Sequence, residues 1–261
     1  MDNSAVRVPP WRCRIASVWY RHMRVYLRNI ISNGLPPFLE PLIFLAGIGL
    51  GLGTYIVSMD GMPYLQFLAT GLVVTTAMFT ASFECTFGTF IRMEFDKNYD
   101  GILAAPISVR DLFTGEILWA GTKGLFFSTS VLIIVASFGI IDEPASALAP
   151  LVGFLAGIMF SCLALSVTSF VKTINHFSFY FTGFITPMFF FSGVVFPTSR
   201  LPSAVRPLVE ILPLTHLVRL ARAACTADFH WSLLLDLAYC AAFVPIVGGF
   251  AIYRLRRRIV T

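Results

Sequence analysis

The sequence predicts an all-α membrane protein with six transmembrane helices, an N-terminal amphipathic helix at the membrane interface and short re-entrant helices before the last span. Its 261 residues are 57% hydrophobic and only 13% charged, whereas a soluble domain is about 25% charged. Uncharged stretches such as 61–83 and 144–171 also meet the length of about 20 residues that a spanning helix needs. This composition excludes a soluble enzyme, a disordered tail and a nucleic-acid-binding module.

The N-terminal segment, residues 1–35, is predicted to be cytoplasmic and to contain the interfacial helix. Apolar residues recur at helical spacing over 11–30, and the opposite face repeats an arginine at every seventh position, Arg14, Arg21 and Arg28. Such a helix lies in the headgroup plane, although a soluble helix packed on a neighbour would give the same pattern. The segment lacks a short apolar core with a cleavage site, so we expect no cleaved signal peptide. Prolines that follow predict a turn into the first span: Pro36, Pro37 and Pro41.

The predicted spans are 38–57, 63–90, 117–141, 147–171, 177–196 and 233–253. Arginine and lysine are concentrated in the N-terminal segment, in the connection after the second span and in the C-terminal tail, whereas the outer connections 58–62 and 142–146 contain neither. Cytoplasmic loops carry an excess of these residues. We therefore expect both termini in the cytoplasm.

Glycines repeat within the first predicted span, where two GxxxG patterns overlap: Gly47, Gly49, Gly51 and Gly53. Gly153 and Gly157 form another such pattern in the fourth span. Small residues at this spacing let helix backbones approach closely in lipid. We expect these glycines at helix contacts, either within the chain or between two copies of it.

Acidic side chains near the predicted spans are candidates for function. Glu40, Glu116 and Asp236 lie within a turn or two of span ends, where we expect water to reach them. Glu84 lies deeper, about two turns before Arg92, and a carboxylate at membrane depth points to a function. Three roles fit Glu84: it lines a polar pathway, carries a proton, or pairs with a neighbouring helix.

The connection 92–111 after the second span is a charged loop with an apolar patch at 101–107. Ser108 and Asp111 match a capping box, which predicts the start of the next helix. An apolar patch on a charged loop is typical of a surface that docks another protein. A loop that folds back on the membrane would have the same composition.

The segment 198–231 interleaves four arginines with prolines and apolar residues, which makes it a poor independent span. A seventh crossing would also place the arginine-rich tail outside, against the charge rule. We expect an outer re-entrant segment of short helices whose backbone groups are satisfied by neighbouring protein. An extracellular surface helix would leave a similar pattern.

The sequence contains no pattern for nucleotide or metal binding. A P-loop requires glycine before its lysine, whereas Lys97, Lys123 and Lys172 follow Asp, Thr and Val. Cysteine and histidine have no metal-type spacing, and the odd count of five cysteines argues against a disulfide framework. We expect no catalytic residue and no cofactor in this chain, so the energy for any active transport would be supplied from elsewhere.

Several motifs resemble those of one known family. They are Leu-Ala-Ala-Pro-Ile-Ser at 103–108, Phe-Ser-Gly-Val-Val-Phe-Pro at 191–197 and Leu-Pro-Leu-Thr-His at 212–216. With these motifs and its predicted spans, nearly the whole chain is similar to permeases of the ABC-2 family, the membrane subunits of ATP-driven exporters. The segments 40–44, 47–53, 60–61 and 81–84 more narrowly resemble the NodJ subfamily. Its members work with a separate ATPase, NodI, to export lipo-chitooligosaccharide signals.

The resemblance implies a homodimer bound to two copies of a separate ABC ATPase, in the inner membrane of a bacterium. ATP and Mg²⁺ would be bound by the ATPase, and the expected cargo is a lipid-linked or amphiphilic oligosaccharide. The loop would be the coupling helix that docks on the ATPase, through Asp96, Asp100, Leu103, Ala105, Pro106 and Ser108. Membrane lipid is a further expected partner, and nucleic acid is not expected. A carrier driven by an ion gradient, with Glu84 as coupling group, and a non-transporting membrane scaffold are the alternatives.

Overall fold

A computed structural model describes residues 9–260 of the chain; Arg7, one of the N-terminal arginines, lies outside these residues. The described residues form ten helices and one separate 3-10 turn, Thr198–Arg200: α1 (Trp11–Arg28), α2 (Ile30–Gly53), α3 (Tyr64–Phe95), α4 (Asn98–Leu103), α5 (Val109–Ser137), α6 (Pro144–Thr168), α7 (174–191), α8 (Arg206–Glu210), α9 (Pro213–Thr226) and α10 (Leu233–Val260). A single hairpin pairs Ser58–Met59 (β1) with Met62–Pro63 (β2). The all-α membrane class is thereby confirmed.

Five helices in the described part of the chain are long and apolar enough to cross a membrane: α2, α3, α5, α6 and α10. The predicted fifth span is not among them: α7 contains a π-helical turn at Phe181–Ile185 and ends at Phe191. It nevertheless lies along α3. The Phe177 ring meets Phe90 at 5.6 Å, and the backbone at Val194 closely approaches Gly71. These contacts span about 28 Å of α3 at 1.5 Å per residue.

The N-terminal helix forms as predicted, but the turn after it does not lie at the prolines. α1 ends at Arg28 and α2 begins at Ile30, so Pro36, Pro37 and Pro41 lie inside α2. A π-helical turn, Leu45–Leu50, follows them. Proline is tolerated in membrane helices where local π adjustments and neighbouring groups satisfy the freed carbonyls. The prediction of a proline turn was therefore wrong.

The closest helix contact joins α5 to α6 through glycines. A Cβ atom at Gly157 would lie 2.6 Å from the Ala120 carbonyl oxygen, and one at Gly124 would lie 2.5 Å from the carbonyl oxygen of Gly153. No larger residue fits there without separating the helices. The predicted packing role of Gly153 and Gly157 is confirmed.

The two ends of the helix bundle gather different segments. At one end Arg14 of α1 pairs with Asp111 at 3.2 Å, and Arg258 near the C-terminus binds Glu94 and the Thr168 carbonyl. This end carries the segments whose charge predicts the cytoplasmic side. The opposite end gathers the hairpin, the turn that begins α6, and the helices α8 and α9.

Candidate functional site

The predicted docking loop forms a compact segment between α3 and α5, residues 96–108, which we call the docking segment. Lys97 adopts a left-handed conformation, φ 51°, which turns the chain into α4. At the far end Ser108 Oγ accepts from the Asp111 amide at 3.2 Å, and Asp111 Oδ2 accepts from the Ser108 amide at 3.0 Å. The predicted capping box is thus present and fixes the start of α5.

The structure places the predicted docking residues in two groups. Asp96, Asp100, Ala105 and Pro106 are exposed at the end of the molecule. Leu103 is half-buried and packs against the core. Ser108 is exposed, but its hydroxyl is engaged in the capping box. An acidic and small apolar surface therefore faces outward, held from behind by Leu103 and Ser108.

Tyr99 connects this segment to the interior. Its side chain is only 1% exposed, and its hydroxyl donates to Glu116 Oε1 of α5. Burial, together with the negative charge of Glu116, raises the pKa of Tyr99 well above its usual value. The phenol is therefore a permanent donor. The sequence carries no periodic or motif signal that singles out this tyrosine.

Glu116 is enclosed by groups from three helices. It accepts from Thr89 Oγ1 at 3.0 Å, and it lies 3.3 Å from Arg92 Nε and 3.4 Å from His22 Nε2. The last two contacts have ion-pair distances but lack hydrogen-bond geometry. The expectation that water reaches Glu116 was wrong, because α1 covers this part of α5, where Val18 packs on Gly115.

The carboxylate predicted to lie at membrane depth, Glu84, connects this cluster to Lys123, further along α5. Arg92 Nη1 donates to Glu84 Oε1 at 2.7 Å, and Lys123 Nζ donates to Glu84 Oε2 at 2.8 Å. Glu84 also opens a π-helical turn, Glu84–Gly88, and such turns are frequent at functional sites. A Cβ atom at Gly88 would lie 3.2 Å from Arg92 Nη1, so glycine leaves room for the guanidinium.

These contacts form one continuous chain of polar groups, which we call the polar relay: Tyr99, Glu116, Arg92, Glu84 and Lys123. After the neutral Tyr99 phenol, two carboxylates and two cations alternate along it, so the charges are balanced. Pairing of this kind offsets the cost of placing charges in a low-dielectric interior. The polar relay links the docking segment to the middle of α5. It places Glu84 in an ion-pair chain, in keeping with the predicted pairing role.

Beside the polar relay lies a cavity of about 740 Å³. Glu84, Arg92 and Lys123 form one side of it. The remaining walls are largely aromatic: Phe44, Phe79, Phe83, Trp119, Phe189 and Phe190. The cavity is therefore amphipathic.

Two hydroxyls at the cavity have no hydrogen-bond partner among the described residues. They are Tyr26 Oη and Thr80 Oγ1, both buried atoms. Burial, and to a smaller extent the charge of Glu84, raises the pKa of Tyr26 to about 12, so the phenol stays protonated. Buried hydroxyls normally have partners. The pair therefore offers donors and acceptors to a neutral polar group within the cavity.

The remaining predicted residues are distributed differently. Glu40 is exposed and lines the cavity, whereas Asp236 is only 3% exposed, because α9 covers it with His216 and Arg219. The expectation of water access was thus wrong for Asp236. Among the glycines of α2, Gly49 packs on Leu65. A Cβ atom at any of the other three would meet nothing within 4 Å among the described residues: Gly47, Gly51 and Gly53.

Comparison with known proteins decides the family. The profile of the ABC-2 type transporter family matches residues 14–225, which include the docking segment and the whole polar relay. The chain belongs to this family. It is 34% identical to nodulation protein J of Sinorhizobium fredii over 97% of this chain and 95% of the relative. Identity is 32% to nodulation protein J of Bradyrhizobium diazoefficiens, covering 98% and 99%, and 23% to the inner membrane transport permease YadH of Escherichia coli, covering 78% and 79%.

Membership in the ABC-2 type transporter family establishes the general role of the chain. It is a membrane component of an ABC transporter and a multi-pass membrane protein. Membership also implies partnership with an ABC ATPase. The resemblance inferred from the motifs is confirmed, both for the family and for its NodJ-like relatives.

Proposed function

We propose that this chain is the permease of an ATP-driven exporter that moves a lipo-oligosaccharide or a related amphiphile across the bacterial inner membrane. The observation that carries the proposal is the amphipathic cavity. Its aromatic walls suit an acyl chain or the faces of sugar rings. Its unpartnered hydroxyls and the ion pairs of Glu84 suit hydroxyl and amide groups of a neutral head. The resemblance of the motifs to NodJ-like permeases implies a cargo of this class.

The polar relay gives the proposed permease a route from ATPase to cargo. The ATPase docks on Asp96, Asp100, Ala105 and Pro106, and it alone binds ATP and Mg²⁺. Movement of α4 displaces Tyr99, and with it the hydrogen bond to Glu116. Arg92 contacts both Glu116 and Glu84, so the displacement reaches the cavity side through a single side chain. ATP shifts the conformational equilibrium because it binds the closed ATPase pair more tightly.

The proposed topology has six spans with both termini in the cytoplasm. Its fifth crossing is α7, which runs beside α3 between the two ends of the bundle. α8 and α9 are then the outer re-entrant helices. The arginine-rich first end of the bundle faces the cytoplasm, in agreement with the charge rule.

The proposed assembly is a homodimer with two ATPase subunits. Support for the dimer comes from α2, where Gly47, Gly51 and Gly53 face open space. Small residues on an open helix face permit close approach of a second helix. The cavity is lined in part by α2, so the interface and the cargo site would be neighbours.

Photocrosslinking in membranes tests whether the cavity holds the cargo. We expect a lipo-oligosaccharide with a photoactivatable acyl chain to label Phe79 or Phe189, and excess unlabelled lipo-oligosaccharide to suppress labelling. Thr80→Val removes an unpartnered hydroxyl with little change of shape and should weaken binding of the same probe. Thr129→Val is the matched control, since its hydroxyl bonds the Leu125 carbonyl away from the cavity. Labelling confined to the lipid-facing surface would contradict the proposal.

A further inference from the structure

A second, smaller pocket of about 220 Å³ lies at the opposite end of the bundle from the docking segment. The hairpin, the loop 192–199 and α9 enclose it. Its lining includes two polar or acidic residues, Asp60 and Ser192, and two arginines of α9, Arg219 and Arg222. This pocket shares no residue with the amphipathic cavity beside the polar relay, which we also call the aromatic cavity.

Arg222 is a half-buried cation that bonds only neutral oxygens. Its guanidinium donates to Gly193 O at 2.9 Å, and to Phe67 O and Thr70 Oγ1 at 3.3 Å each. It also lies 3.8 Å from the centre of the Phe67 ring. Among the described residues no carboxylate is within ion-pair distance of it. Burial lowers the pKa of Arg222 to about 10, as expected for a desolvated cation.

Ser192 supplies an independent sign of a missing ligand. The residue is 1% exposed, lines the pocket and has a buried hydroxyl without a hydrogen-bond partner among the described residues. Buried hydroxyls without partners are rare. Ser192 and Arg222 line the same pocket and both can donate hydrogen bonds, which favours an acceptor as the ligand.

The walls of the pocket are fixed in place. A Cβ atom at Gly71 would lie 3.1 Å from Val194 Cα, so the loop that carries Ser192 rests directly on α3. Arg219 and Arg222 are three residues apart and share one face of α9. Arg219 is already paired with Glu210 and Asp236. Arg222 therefore carries the uncompensated charge.

Asp60, at the hairpin turn, is the only acid among the described lining residues. It is exposed and influences Arg222 only at longer range. A ligand within the pocket would place a negative charge closer to Arg222 than Asp60 does. The negative charge of Asp60 would repel an anionic ligand. Removing that charge by substitution therefore tests whether the ligand is negatively charged.

We propose that this pocket binds a phosphate group, through the guanidinium of Arg222 and the hydroxyl of Ser192. Guanidinium and hydroxyl donors are typical phosphate ligands. The group comes either from a phospholipid headgroup of the outer leaflet or from free phosphate. The site requires neither the ATPase nor the cargo, so its test is independent of the proposed function.

Native mass spectrometry of the delipidated full-length protein in detergent tests the proposal. The probes are dioctanoyl phosphatidylglycerol, inorganic phosphate and dioctanoylglycerol, which lacks phosphate. We expect Ser192→Ala and Arg222→Gln each to weaken phosphatidylglycerol binding by about tenfold, the loss of one hydrogen bond to a charged group. Asp60→Asn should strengthen it. Arg200→Gln, an exposed outer arginine outside the pocket, should leave it unchanged.

The three probes separate the two sources of the phosphate group. Binding of phosphatidylglycerol without inorganic phosphate assigns the site to lipid, and binding of inorganic phosphate alone assigns it to the free ion. Equal binding of dioctanoylglycerol would overturn the proposal, as would unchanged affinity in Ser192→Ala. The serine variant keeps the test decisive if Arg222→Gln fails to fold.

Discussion

Lys123 Nζ donates to Glu84 Oε2 at 2.8 Å, joining two membrane helices at the side of the aromatic cavity. The same ammonium lies 4.7 Å from the centre of the Tyr26 ring. Lys123 of α5 thus contacts both α3 and α1. Its side chain is only 10% exposed, so the positive charge of Lys123 and the negative charge of Glu84 compensate each other.

Removing one member of this pair should destabilise the protein more than removing both. Lys123→Gln leaves Glu84 short of a partner, and we expect a loss of about 3 kcal/mol in the free energy of unfolding. The double variant with Glu84→Gln should recover part of that loss. Thermal unfolding in detergent measures both. Equal destabilisation by the single and double variants would show that the pair makes no net electrostatic contribution.

Tyr99→Phe should reduce ATP-driven transport while leaving ATPase association intact. The substitution removes the donor to buried Glu116, an interaction of about 1.5–3 kcal/mol for a charged acceptor, but leaves the exposed docking residues unchanged. Tyr20→Phe, at an exposed position of α1, is the matched control. Transport divided by the amount of bound ATPase separates a loss of transport from a loss of ATPase association. Normal transport by Tyr99→Phe would exclude the hydroxyl from the relay.

A charge at Ala105 should weaken ATPase association. Ala105→Asp adds a third acid to an exposed surface that already carries Asp96 and Asp100, and we expect affinity to fall by roughly tenfold. Ala147→Asp, exposed at the other end of the bundle, should have no effect. Co-purification with the tagged ATPase measures both. Unchanged association for Ala105→Asp would place the docking site elsewhere.

A methyl group at Gly157 should destabilise the contact between α5 and α6. Gly157→Ala places a Cβ against the Ala120 carbonyl, and overpacking of this kind costs about 1–3 kcal/mol. Gly249→Ala, at a helical glycine with open space around it, should instead stabilise by up to about 1 kcal/mol through helix propensity. Opposite signs in thermal unfolding are the expected result. Destabilisation of equal size would point to a backbone effect.

A bulky residue at Gly51 should weaken self-association without harming the fold of one chain. A Cβ atom at Gly51 would have no atom of the described residues outside its own helical backbone within 4 Å, whereas the larger side chain of Gly51→Leu would obstruct a helix of a second copy. Gly249→Leu is the control on α10. Single-molecule photobleaching in nanodiscs reports the number of chains. A dimer that persists in Gly51→Leu would remove this face from the interface.

Local features were predicted from the sequence because their partners are close in the chain. The capping box joins Ser108 and Asp111, which are only three positions apart. The N-terminal helix is indicated by the helical spacing of its own apolar residues. The packing role of Gly153 and Gly157 was predicted because GxxxG spacing commonly permits close helix packing in lipid.

Features that depend on distant segments escaped prediction. Glu116 lies near a predicted span end, yet α1 buries it. Tyr99 becomes part of the relay only when α4 folds back on α5. In both cases tertiary contact overrides the local signal. Pro36 and Pro41 are residue types that normally end helices, yet they lie inside α2.

The central claim is that this permease moves an amphiphile only when an ATPase drives it. The direct measurement is transfer of a fluorescent lipo-oligosaccharide across proteoliposomes that contain the chain with and without a candidate ATPase. We predict transfer that requires the ATPase, ATP and Mg²⁺ and that falls in Lys123→Gln. Transfer without the ATPase, driven by an ion gradient, would contradict the claim and favour a carrier, and no transfer with any partner would favour a scaffold.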